Sequence, residues 1–221
     1  METLPELLAG VARGLFPPPD GGVTILPQLS RRDAGVLAFT AHAVVVTDED
    51  PAWIRARLAA LDRDPLAAPL HPRFLTALMD RTGRTAETVD ALLVGAPLPG
   101  RPAMELREIA DTGHPRVVRS RARRDAVRVW MADGGVLVLG HGLGGRLEVA
   151  VEVDQEARHR GLGRALATAA RQLAGEPVWA QVAPGNARSV RAFLAGGYRA
   201  VGAEVLLSAT GGSTGCSGSC S

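Results

Sequence analysis

Val151-Glu152-Val153-Asp154-Gln155-Glu156-Ala157-Arg158-His159-Arg160-Gly161-Leu162-Gly163 is the stretch on which the reading of this chain turns. Up to Val153 the residues alternate. Leu147, Val149, Val151 and Val153 take turns with Glu148, Ala150 and Glu152, the period of a half-buried strand. After Gly161 the spacing becomes helical, with Leu162, Ala165, Leu166, Ala169 and Leu173 on one stripe and Gly175 closing it. A strand therefore passes to a helix through a loop with two glycines. The first N–H groups of such a helix lack partners and carry the positive end of its dipole. Gly161 and Gly163 let an anion approach the backbone, and neighbouring arginines add charge, so the loop suits a pyrophosphate. The three-glycine fingerprint of a dinucleotide site is missing.

Downstream, Val178 to Val182 reads as a strand. Pro184-Gly185-Asn186 starts a helix with Val190, Phe193 and Leu194 inward, ended by Gly196-Gly197. Tyr198 to Leu207 supplies one or two closing strands. Upstream, Val127, Val129 and Met131 alternate with Arg128 and Trp130. Asp133-Gly134-Gly135 turns the chain into a return strand, Val136 to Leu139, and Gly144-Gly145 turns it again.

These residues carry a family resemblance. From about Ala126 to Leu207 the chain resembles the GNAT superfamily of acyl-CoA-dependent acyltransferases. Arg158, Gly161 and Gly163 match its Gln/Arg-x-x-Gly-x-Gly/Ala motif after a valine-rich strand. Asn186, Ser189 and Gly197-Tyr198 match its second motif, with Tyr198 in the place of a Phe. The resemblance implies an α/β (α+β) fold, a mixed and mostly antiparallel sheet flanked by helices. It implies acetyl-CoA or another acyl-CoA as co-substrate and no metal. Backbone groups near Val151 and Val153 would face the pantetheine arm where two strands part. The backbone of His159, Arg160, Gly161, Leu162, Gly163 and Arg164, with Arg158 beside it, would hold the pyrophosphate. Asn186 would position the cofactor, a role that coexists with capping its helix. An amine would attack the thioester directly, with a base or water taking its proton. Two positions depart from the family: Phe193 stands where many members place a Tyr acid, and Gln181 where some place a Glu base. Glu148 and Glu152 share one strand face and are the nearest acidic candidates. The same positions also suit polar side chains turned to solvent.

The N-terminal half carries no such motif. A helix is expected from Leu4 to Leu15, stopped by Pro17-Pro18-Pro19-Asp20-Gly21-Gly22. Gly35 to Thr47 reads as a strand or strand pair. Asp50-Pro51 opens a helix with Trp53, Ile54, Leu58 and Leu61 on one face, and a second runs from Pro72 to Arg81. The Pro-bearing stretch from Gly95 to Gly113 reads as a linker, with room for a short helix at Met104 to Ala110. The organisation expected is an additional N-terminal α/β lobe over 1–115, a GNAT core over 116–208, and a disordered Gly/Ser tail over 209–221. The lobe, as a degenerate GNAT-like copy, would shape the acceptor pocket, or else these residues would supply the core's first strand and helices.

Composition narrows the function. Hydrophobic residues make up 46% of the 221 and charged ones 22%, so the chain is globular. All 25 basic residues are Arg. Without Lys there is no Walker A loop and no Schiff-base lysine. The two cysteines, Cys216 and Cys220, lie in the tail, so the body has no disulfide framework and no four-Cys zinc site. Glu2 and Glu6 sit where a secretory signal needs positive charge, and no apolar run spans a membrane. A bacterial cytoplasmic enzyme without a membrane partner is expected, acting on a small-molecule or protein amine; a homodimer is compatible with the sequence. The net charge of +2 and an Arg run (Arg116 to Arg124) without interleaved aromatics argue against nucleic acid. His42, His71, His114 and His141 show no metal-ligand spacing. A second reading is an acyl-CoA-binding sensor or partner subunit with little or no turnover, since the usual acid and base are missing.

Overall fold

The computed structural model describes residues 3–110 and 113–209. The expected tail, with both cysteines, lies outside the described residues apart from Ala209.

Helix α1 (Leu4–Ala12) starts at Thr3, whose side chain and backbone exchange hydrogen bonds with Glu6. Leu4, Leu7, Leu8 and Val11 recur at helical spacing and are all buried. The helix ends at Ala12 with Arg13 as its C-cap, short of the expected Leu15, because Gly14 turns into the left-handed region at φ 90°. Strand β1 (Val23–Leu26) follows, then the hairpin β2 (Gly35–Phe39) and β3 (His42–Val46). Helix α2 (Pro51–Ala59) is capped by Asp50, and α3 (Pro72–Thr82) by the ring of His71 and, at its end, by left-handed Gly83. Short β4 (Arg84–Thr85) and six-residue β5 (Asp90–Gly95) close this half.

The irregular 96–106 segment is tied down. Leu98 N–H donates to the Arg171 carbonyl at 2.8 Å, and Arg171 Nε donates to the Ala96 carbonyl at 2.7 Å. Where a short helix was expected, Arg107–Ile109 forms strand β6, because the edge of the next strand offers backbone partners (Arg107↔Met131 to Ile109↔Val129). The Arg run becomes helix α4 (Pro115–Arg123), capped by the His114 ring. Then come β7 (Asp125–Ala132), β8 (Gly135–His141), β9 (Leu147–Val153), α5 (Leu162–Leu173), β10 (Val178–Val182), α6 (Ala187–Ala195), β11 (Arg199–Leu206) and β12 (Ser208–Ala209).

Ten strands form one sheet in the order β1-β3-β2-β11-β5-β10-β9-β8-β7-β6, and β12 pairs with β4 apart from it. Only β1–β3 and β9–β10 are parallel among the described strands. The architecture is thus mixed α/β with a mostly antiparallel sheet flanked by helices. β5, from the N-terminal half, lies between β10 and β11, and β11 in turn pairs with β2. One sheet therefore runs through both halves.

Helices cover both faces. On one face α5 packs on Leu137, Leu139, Leu147 and Val149, and α2 and α3 pack on Val36, Val45 and Val205. On the other, α1 covers Leu37, Phe39, Val44, Leu92 and Trp179, and Val117 of α4 covers Val129, Val136 and Val138. Each large side chain so buried contributes about 1.5–3 kcal/mol.

Candidate functional site

The site is built where β9 meets α5. After Val153 one tight turn (Gln155–Ala157) leads to His159 at φ 65° and Gly161 at φ 81°. Gly161 is the N-cap residue of α5, and no side chain caps it. The first helical bond is Ala165 N–H to the Gly161 carbonyl, 3.1 Å, so the N–H groups of Leu162, Gly163 and Arg164 have no helical acceptor. A Cβ on Gly161 would meet nothing within 4 Å, yet the left-handed backbone disfavours any L side chain. A Cβ on Gly163 would come within 3.5 Å of Ala192 on α6. The glycines thus leave an open approach to the first turn and a close-packed floor beneath it.

A second feature lies beside it. β9 and β10 pair at Val178↔Leu147 and Trp179↔Glu148, and there the pairing stops. β9 continues to Val153 against β8, and β10 to Val182 against β5. The two strands part while their outer edges stay hydrogen-bonded. Alongside the opening runs a cleft of about 680 Å³, lined by Val151 and Val153, by Gly161 to Arg164, and by Asn186 and Phe193. Such a volume suits a sizeable organic ligand.

Asn186 is the N-cap residue of α6, and its side-chain oxygen accepts from Ser189 N–H at 3.1 Å. Phe193 meets the Tyr198 ring edge-on, 5.0 Å between centroids. Tyr198 is buried, and its hydroxyl donates to the Ala167 carbonyl at 3.2 Å. Burial pushes its phenol well above the ordinary value, against the opposing charge of Arg171. It serves α5 packing and does not line the cleft.

The two acidic candidates differ. Glu152 lines the cleft and accepts from Arg116 Nε at 3.0 Å. Glu148 is buried and lies outside that cleft. It accepts from Arg146 Nε at 2.9 Å, Arg124 Nε at 2.8 Å and Gln181 Nε2 at 2.7 Å. Burial alone would raise its pKa, but the charges of Arg146 and Arg124 outweigh that and hold it below the ordinary range. Arg146 continues the cluster with a two-pronged contact to fully buried Glu204, at 2.8 and 2.6 Å. Gln181 is the amide that bridges β10 to Glu148.

Of the expected cofactor residues, Val151, Val153, Arg158, His159, Gly161, Leu162, Gly163, Arg164 and Asn186 line this one cleft. Arg160 lines a neighbouring hollow beside Asp133 and Asp154. Arg116, the start of the Arg run, also lines the cleft, as do Arg188 and Arg191, which escaped the sequence reading. The i, i+3 spacing of Arg188 and Arg191 puts them on one face of α6, a signal that could have found them. Three more arginines of the 116–124 run are engaged: Arg123 with Glu87 at 2.7 Å, Arg124 with Glu148, and Arg121 with the Ala110 carbonyl. Three histidines serve structure. His71 and His114 cap helices, and His42 is buried between Thr24 and Asp20. No group of metal-ligating side chains forms among the described residues. No helix among them is long and apolar enough to cross a membrane.

Residues 108–198 match the acetyltransferase (GNAT) family. The matched segment runs from β6 to just past the end of α6 and contains the open helix start, the parted strands and Asn186. Among curated proteins no sequence matches the chain. Among solved structures, the chain is similar to a GCN5-related N-acetyltransferase from Kribbella flavida, at 21% identity and TM-score 0.41, over 81% of this chain and 88% of that one. It is also similar to a GNAT-family acetyltransferase from Novosphingobium aromaticivorans (19%, TM-score 0.42). That match covers 57% of this chain and 66% of that one, just under two thirds of its length. A third likeness is to a tandem GNAT protein from the clavulanic acid biosynthesis pathway (14%, TM-score 0.37), over 70% of this chain and 67% of that one. At such TM-scores these likenesses add nothing to the geometry. The family match supports acyl transfer in general terms.

Proposed function

We propose that the chain is an N-acyltransferase that moves an acyl group, an acetyl group in the simplest case, from acyl-CoA to an amine. The observation that carries this reading is the meeting of two openings in one cleft: an uncapped helix start at Gly161 and a parallel strand pair that parts after Glu148 and Trp179.

The residues present fit coenzyme A. Three helix-start N–H groups without helical acceptors and the arginines Arg158, Arg164, Arg188 and Arg191 suit its phosphates. The backbone edge of β9 from Val149 to Val153, unpaired toward β10, suits the amide-bearing pantetheine arm. Asn186 and Phe193 border the same path. Bound there, the thioester would supply an acyl carbon already activated toward an amine. The backbone edge of β9 offers a fixed N–H donor to the carbonyl oxygen as charge develops on it. Holding both reactants in one channel accounts for much of the acceleration such a site can give. Residues 1–115 are proposed as a lobe that completes the acceptor side.

One observation favours the second reading, a binding subunit with weak turnover. Both acidic candidates are ion-paired, and the one tyrosine is buried in packing. Titration calorimetry with coenzyme A and with acetyl-CoA, followed by thiol release against an amine panel, tests both. Saturable binding with thiol release supports the enzyme, and saturable binding alone supports the subunit. An absence of heat with either ligand overturns the proposal.

A further inference from the structure

A second cavity, of about 390 Å³, belongs to the opposite side of the same opening. Leu147 and Val149 face α5, so Glu148 between them faces the other side of the sheet, where Ala150 packs with Val117 of α4. Glu148 and Gln181, hydrogen-bonded across the point where β9 and β10 part, line this cavity. The end of α4 and the turn Arg31-Arg32-Asp33 line it too, the latter from the N-terminal half.

Its charges can be accounted for one by one. Arg124 is held by Glu148, Arg123 by Glu87, and Arg32 by Asp125. Glu148 is neutralised by Arg124 and Arg146. Two groups remain. The Arg31 guanidinium makes no ion pair among the described residues, and the Asp33 carboxyl forms no salt bridge there, though Ser30 hydrogen-bonds to it and the Arg32 charge acts on it. A spare cation and a spare carboxyl, two residues apart in one turn, complement a molecule that carries an anion and an ammonium. Leu143, Leu206 and Leu207 make the rest of the wall apolar.

We propose that this cavity receives the acceptor, and that the acceptor is an amine that also bears a carboxylate, a free amino acid or short peptide, with its carboxylate on Arg31 and its amine at Asp33. The inference rests on the acyltransferase reading. The bound ammonium first gives one proton to solvent; the neutral nitrogen then bonds to the thioester carbonyl carbon, the carbon–sulfur bond breaks, and a second proton passes from nitrogen to Asp33. The sulfur leaves as thiolate and takes up that proton through solvent, giving the free thiol and the amide. Asp33 suits the task because burial raises its pKa; the Ser30 hydrogen bond and the Arg32 charge oppose the shift, and Glu148 and Asp125 add to it.

The test measures thiol release from acetyl-CoA by the full chain with the twenty common amino acids, their carboxamides, and phosphoethanolamine. At least one amino acid should be acetylated with kcat/KM ten-fold or more above its carboxamide, the range of one charge-assisted contact, roughly 10–100-fold. Phosphoethanolamine should be the poorer substrate. Arg31→Gln, on an exposed side chain, should collapse the acid-to-amide ratio through KM, with Arg31→Lys restoring part of it. Asp33→Asn should lower kcat by about 100-fold or more and remove the acidic limb of its pH profile. Equal use of acid and amide, preference for the phosphate, or an Arg31→Gln loss shared by both substrates overturns the inference. So does a protein that binds acetyl-CoA in calorimetry and acetylates no amino acid. A protein that does not bind acetyl-CoA overturns the acyltransferase reading as well.

Discussion

The sheet contains two parallel strand pairs, and they are finished differently. β1 and β3 stay in register over four residue pairs, Val23↔Ala43 to Leu26↔Val46, and the helix that follows β3 begins under its own carboxylate, with Asp50 accepting from Ala52 N–H at 2.9 Å. β9 and β10 share two pairs and part, and the helix that follows β9 begins at Gly161 with no side-chain cap. In the first pair, the edges the two strands turn to each other and the helix start are satisfied from within. In the second, the same groups are left for something else to satisfy. Two elements of one topology thus separate a closed junction from the open one proposed to bind coenzyme A, and the separation rests on Asp50 against Gly161 and on full against partial pairing.

Removing what anchors the parted pair should have the largest effect. Glu148→Gln leaves Arg146 and Arg124 in the interior without their shared anion, a loss of about 3–5 kcal/mol in denaturant unfolding. The pH dependence should change with it. The folded-state pKa of Glu148 lies below the unfolded value, so its contribution is present above the ordinary carboxylate range and fades as pH falls through the lowered value. The Gln variant should lose that acid dependence.

Making the open junction resemble the closed one comes next. Gly161→Asp puts a carboxylate at the helix start, and coenzyme A should bind about 10–100-fold more weakly by calorimetry, the range of one lost charge-assisted contact. The left-handed backbone at φ 81° adds roughly 1–2 kcal/mol of strain in unfolding. The converse change, Asp50→Ala, should cost about 1 kcal/mol in unfolding and leave coenzyme A affinity as it was.

The smallest effect concerns Asp90, half-buried on β5 opposite fully buried Glu204. Desolvation and the Glu204 charge push its pKa up to about 6. The folded state binds this proton more tightly than the unfolded chain, so Asp90 lowers stability as pH rises from about 4 through 6. Asp90→Asn should therefore raise the unfolding midpoint at pH 8 and not at pH 4.

Much of the parted junction was legible in the sequence. The alternation from Leu147 to Val153, the stripe from Leu162 to Leu173 and the Asn186 helix start lie where their periodicity puts them, because each is a local pattern with its own punctuation. The insertion of β5 between β10 and β11 was not legible, since strand order is set by contacts far apart in the chain. Strand β6 was misread as a possible helix because its three residues take their form from the edge of β7. The buried charge cluster was hidden for a related reason. Alternation marks Glu148 only as polar, and Arg146 finds Glu204 58 residues further on.

The placement of β5 has a practical consequence. A protease nick within 96–106 would cut the polypeptide and leave the ten-strand array joined, for Asp90–Gly95 would still be gripped by its neighbours from both sides. The two pieces, expressed separately, should recombine in the manner of a split reporter. Each piece on its own would show naked strand edges and tend to clump.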